Sequence, residues 1–108
     1  MTNNDEVLQV IKIANKNKLT DLTLKEIKIL PSEIGQLTNL QTLDLSQSQL
    51  SSLPPEIGQL TNLQSLYLSE NQLSNLPPEI GQLINLKKLD LSENQLNIPP
   101  EILKKQST

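Results

Sequence analysis

Any chemistry in this 108-residue sequence would have to rest on carboxylates and lysines. Asp90 with Glu93, or Asp44 with Asp90, are the pairs that could divide the roles of general acid and general base. The other instruments of catalysis are missing. There is no His and no Cys, and all nine basic residues are Lys, none Arg. This excludes a Cys/His zinc site, a Ser-His-Asp triad, a cysteine nucleophile and a disulfide framework. It also excludes a bidentate arginine clamp on phosphate or carboxylate, and an arginine finger. The only glycines, Gly35, Gly58 and Gly81, each stand inside the same E-I-G-Q-L string. They read as packing residues of a repeated segment, not as a phosphate-cradling loop. Carboxylates on an open surface, without a nucleophile, metal ligands or an enclosing pocket, are solvated side chains. The expectation is no enzyme, no cofactor and no metal.

The charge balance narrows the partners. The net charge is −3, and the lysines fall in scattered pairs such as Lys16 with Lys18 and Lys87 with Lys88. A nucleic-acid binder shows a basic face and often stacking aromatics, whereas Tyr67 is the sole aromatic here. No apolar run is as long as a membrane span. The first residues are polar and acidic, unlike a secretory signal. Neither nucleic acid nor membrane is expected as a partner, and a cytoplasmic location is.

The elements that must position these side chains follow from an internal repeat. Residues 40–62 read LQTLDLSQSQLSSLPPEIGQLTN and residues 63–85 read LQSLYLSENQLSNLPPEIGQLIN; 17 of 23 positions are identical. Residues 19–39 are an earlier copy shortened by two, and residues 86–98 open a further copy. The stretch x-L-x-L-x alternates, which predicts a short strand with its leucines turned inward. In one copy these are Leu66 and Leu68. The Asn at the ninth position, Asn71 or Asn94, is expected to turn the chain and satisfy buried backbone groups of a neighbouring coil. Pro77-Pro78 sets an extended corner and starts a short helical segment, which Ile80 and Leu83 aim inward. One coil cannot bury its own leucines, so the coils must stack. The expected class is α/β: a curved solenoid with a parallel sheet on its concave side and short helical or 3-10 turns on its convex side.

Terminal coils need covers. Residues 1–18 are expected to supply an N-terminal capping helix. Val7, Leu8, Ile11 and Ala14 share its apolar face, Asn3 or Asn4 serves as N-cap, and Leu19, Leu22 and Leu24 lie beneath it. Residues 99–108 offer only a short C-terminal cap or tail, so the last strand should have an open edge. Three departures from the repeat stand out. Two residues are lost between Leu24 and Ile27, and Ile29 then takes a place held elsewhere by Ser52 and Asn75; cover by the N-terminal helix is expected. Ser48 replaces the turn Asn with fewer hydrogen-bonding groups. Ile84 replaces Thr61 and Thr38, with burial and exposure both open.

The binding surface of such a solenoid is its concave face. One column there holds Thr42, Ser65 and Lys88 after Asp21. The next holds Thr23, Asp44, Tyr67 and Asp90, with Glu70 and Glu93 alongside. Tyr67 is the natural anchor, because tyrosines bury much area at low entropic cost. The carboxylates around it would prefer another protein with a basic surface. The competing reading is that these polar residues only keep the repeats soluble.

The string L-P-x-E-I-G-x-L-x-N-L, at Leu30–Leu40, Leu53–Leu63 and Leu76–Leu86, resembles the Ras-group type of leucine-rich repeat. The wording P-P-E-I-G-Q-L-T-N-L-Q-x-L is similar to repeats of bacterial, particularly cyanobacterial, Roco-type proteins, and N-I-P-P-E-I-L to the last repeat of such arrays. The resemblance implies a recognition or regulatory module and carries over no catalytic residue. Three further readings stay open beside it: an array that closes its C-terminal edge as a homodimer, a fragment of a Roco-type protein, and an engineered repeat scaffold.

Overall fold

In the computed structural model, residues 4–96 are described. The chain opens with helix α1 (Asn4–Lys16), whose first turn carries Asp5 and Glu6 and whose last carries Lys16. That placement suits the partial charges at a helix's ends. Four three-residue strands follow: β1 (Asp21–Thr23), β2 (Thr42–Asp44), β3 (Ser65–Tyr67) and β4 (Lys88–Asp90). They pair in chain order as one parallel sheet. Between them lie 3-10 turns at Ser32–Gln36, Pro55–Gln59 and Pro78–Gln82.

The sheet register reproduces the repeat. Leu43 sits beside Leu66, and Leu66 beside Leu89. The shortened first coil costs the sheet nothing, because Leu22 still pairs with Leu43. The two missing residues fall after the strand, where Glu26 adopts a φ of 59° and turns the chain into buried Ile27. The same left-handed position recurs at Gln47, Glu70 and Glu93. Each 3-10 turn follows an extended Pro: Pro31, Pro54 and Pro77 have φ between −72° and −65°. In the second and third turns another Pro takes the first helical position, where its missing N–H has no intrahelical partner to lose.

The core is a stack of leucine and isoleucine layers running from Val7, Ile11 and Ala14 of α1 through Leu73 to Leu83. Helix α1 covers the first coil against the Ser32–Gln36 turn. Three side chains depart from the sequence reading. Leu19, expected beneath the helix, is exposed, and only Leu22 and Leu24 are buried below it. Leu8 is only half-buried at the margin of the helix's apolar face. Ile29, expected to be covered, is 57% exposed, while α1 packs on the Ser32–Gln36 turn. Ile84 is the most exposed, at 80%. Replacing it by the Thr of its counterparts, Ile84→Thr, removes no buried area. It should therefore leave stability within about 0.5 kcal/mol of the parent in urea denaturation.

Burial weakens along the array. Ile57, Leu63, Leu66 and Leu68 are fully buried, whereas their counterparts Ile80, Leu86, Leu89 and Leu91 are only partly so. Asn3, Ile98 and the expected C-terminal cap at 99–108 lie outside the described residues.

Candidate interaction surface

The backbone of each coil is tied to the next by one side chain. Asn71 is buried, and its Oδ1 accepts from the Leu50 N–H at 3.0 Å. Its Nδ2 donates to the carbonyls of Leu45 at 2.9 Å and Leu68 at 3.1 Å. Asn94 repeats the pattern one coil on, accepting from Leu73 and donating to Leu68 and Leu91. Ser48 keeps only the acceptor half, taking the Ile27 N–H at 3.2 Å. These bonds hold the strand ends in line, so exposed positions one coil apart form straight columns.

Two of those columns carry the residues singled out by the sequence. Thr42, Ser65 and Lys88 are register partners after Asp21, and Thr23, Asp44, Tyr67 and Asp90 form the neighbouring row. Tyr67 is half-buried between Asp44 on one strand and Asp90 on the other. The two aspartates are already engaged. Asp44 Oδ1 accepts from the backbone N–H of Ser46 at 3.0 Å and from its hydroxyl at 2.5 Å. Asp90 does the same for Ser92, at 3.1 and 2.7 Å. Each therefore closes the turn after its strand with one oxygen and keeps the other for a partner. Tyr67 replaces the aspartate in the coil between, and opens an apolar surface there. Beyond them, Gln47 donates to Glu70 at 3.1 Å, and Lys25 donates to Gln47 at 3.3 Å. The C-terminal rim of the sheet thus gathers carboxylates about Tyr67, with Asp44 and Asp90 in its row and Glu70 and Glu93 just beyond it.

The opposite rim holds what the sequence reading missed. A groove of about 690 Å³ runs along the N-terminal ends of the strands, lined by Lys18, Thr20, Asn39, Gln41, Asn62, Gln64, Asn85 and Lys87. None of Thr23, Asp44, Tyr67, Asp90, Thr42, Ser65, Lys88, Glu70 and Glu93 lines it. The groove is built by a forked hydrogen-bond pattern. The Gln41 carbonyl accepts from both Gln64 and Ser65, and the Gln64 carbonyl from both Lys87 and Lys88. That fork fixes the residues just before each strand into a row. Asn62 and Asn85 brace the floor by donating to the Thr38 and Thr61 carbonyls at 2.8 and 2.7 Å. The signal was present in the sequence as L-Q-T-L and L-Q-S-L, with Gln41 and Gln64 one place before the inspected column. The two rims differ in charge: the groove lining contains lysines and no carboxylate.

Among the described residues, no group of three acidic side chains gathers closely enough to hold a metal ion. No helix among them is long and apolar enough to cross a membrane.

Comparison with known proteins agrees with this architecture. A family model described as leucine-rich repeat region matches residues 2–105. A leucine-rich repeat protein of Leptospira interrogans superposes with a TM-score of 0.78 and 44% identity, over 88% of this chain and 24% of that one. The leucine-rich repeat domain of APL1B superposes with a TM-score of 0.78 and 25% identity, over 92% of this chain and 29% of that one. The chain therefore spans less than a third of the length of either solved relative. No curated protein matches it.

Proposed function

The chain belongs to the leucine-rich repeat family, and from that premise we propose that it is a non-catalytic module binding another protein on its concave sheet face. Arrays of this kind commonly serve protein recognition. The observation that carries the reading is the setting of Tyr67. The one aromatic side chain of the sequence stands half-buried at the middle of the sheet, flanked in register by Asp44 and Asp90. A rigid aromatic on a scaffold of short strands makes an anchor, and the carboxylates on the C-terminal rim favour a basic partner surface by steering and register. Tyr67→Ala should lower affinity for a partner captured from the source cell by about tenfold, read by surface plasmon resonance or calorimetry. Unchanged affinity removes Tyr67 as anchor.

A second reading is favoured by the half-buried Leu86, Leu89, Leu91 and Leu96 of the last described coil. These leucines support self-association through the C-terminal edge as a homodimer. Light scattering at high concentration decides it, and a strictly monomeric solution removes it. The P-P-E-I-G-Q-L-T-N-L wording supports a Ras-group, Roco-type subtype, and cytoplasmic residence goes with that reading.

A further inference from the structure

The N-terminal rim groove has three chemical properties that point to one ligand class. First, Gln41 and Gln64 present carboxamides that make no hydrogen bond to any described residue. A carboxamide offers a donor and an acceptor in one plane, which is the complement of a peptide bond. Second, Lys87 ends the row at β4 and Lys18 lies two residues before Thr20 at the β1 end, both unpaired among the described residues and with no carboxylate in the lining. Third, the lining holds no aromatic ring on which a base could stack.

The spacing then sets the ligand's length. The groove crosses four strands, from the residue before β1 to the residue before β4. Three inter-strand steps of about 4.8 Å make roughly 14 Å, the length of about four residues of extended chain.

We propose that this groove is a docking site for an extended acidic peptide segment of a partner protein. Gln41 and Gln64 pair with its backbone, and Lys18 and Lys87 take two carboxylates about four residues apart. The proposal rests on the reading of the concave side as protein-binding, and adds a second contact of opposite charge. The partner surface that fits is basic where it meets Tyr67's rim and acidic where it enters the groove.

The test uses the whole chain and a fluorescent pentapeptide with glutamate at both ends and Gly-Ser-Gly between, followed by anisotropy at low ionic strength. Saturable binding is expected. It should weaken by about tenfold for the analogue with glutamine in place of both glutamates, and similarly for the Lys18→Gln, Lys87→Gln double variant. Gln64→Ala should weaken it by several-fold, and Tyr67→Ala should leave it unchanged. All four positions project from the surface or stand in a strand, and circular dichroism melting verifies that each variant folds. Absence of saturable binding, equal binding of the neutral analogue, or equal binding of a peptide with adjacent glutamates overturns the proposal. Loss of peptide binding is separable from loss of the Tyr67 anchor. A partner that still depends on Tyr67 while the peptide fails to bind removes the groove alone.

Discussion

Asn71→Ala is expected to destabilise the protein by about 4 kcal/mol, the largest effect of any single substitution considered for this chain. The side chain is buried and serves four backbone groups at once: the N–H of Leu50 and the carbonyls of Leu45, Leu68 and Ser69. Alanine leaves the Leu50 N–H and the Leu45 carbonyl without their partner in a dry interior, at about 1–3 kcal/mol for each buried group that water cannot reach, whereas the Leu68 carbonyl keeps its bond from Asn94. A small cavity adds to the loss. The protein contains its own intermediate case. Ser48 satisfies Ile27 N–H and nothing more, so Asn71→Ser should keep the bond to Leu50 and lose the donated ones. Its loss should be about half that of alanine. Urea denaturation with an unchanged m-value reads both. A change below about 1 kcal/mol for Asn71→Ala would mean that water replaces the side chain, and the account of the coil junction would fail.

Gly58→Ala is expected to cost about 2 kcal/mol, Gly35→Ala less, and Gly81→Ala close to nothing. None of the three has a positive φ, so the requirement is space and not backbone conformation. A Cβ at Gly58 would stand 2.6 Å from the Glu79 carbonyl oxygen and 2.9 Å from the Glu79 Cβ. Backbone cannot rotate aside, so the two convex turns would have to part. At Gly35 the corresponding Glu56 atoms stand at 3.0 Å, and the closer contact, at 2.5 Å, is the movable end of Gln59. At Gly81 no described residue lies within 4 Å. There alanine can gain a few tenths of a kcal/mol by narrowing the unfolded ensemble. Three identical E-I-G-Q-L strings thus carry three different demands. The graded order in denaturation midpoints is the test, and three equal losses would show that the spacing between neighbouring convex turns does not set the requirement.

Much of this was legible in the residues. The x-L-x-L-x alternation located every strand, because period-two burial needs only that one face meet the core. The ninth-position Asn was recognisable from its chemistry alone, since a short carboxamide both accepts and donates beside a turn. The serine substitute at position 48 could be ranked below it for the same reason. The column containing Tyr67 could be written down before any coordinates, because parallel pairing of equal repeats leaves a single natural register.

What failed concerned one residue off the repeat and one pair of ordinary polar residues within it. Ile29 is expected beneath the capping helix, but α1 packs on the Ser32–Gln36 turn and Ile29 is exposed. The groove residues Gln41 and Gln64 were passed over because surface glutamine has no signature. Only the forked backbone bonds to their carbonyls show that they are held in a row.

The sequence by itself determined the leucine-rich repeat, the solenoid, the strand leucines and the order of the exposed columns. These are properties of periodicity within one chain, and stacking repeats transmits them without change. The tertiary structure decided which glycines are crowded, which odd isoleucines meet water, and that the concave side has two rims of opposite character. Each of these depends on contacts between residues about one coil apart in the chain. Their distance and angle are set by how one coil settles on the next, and no local pattern records that.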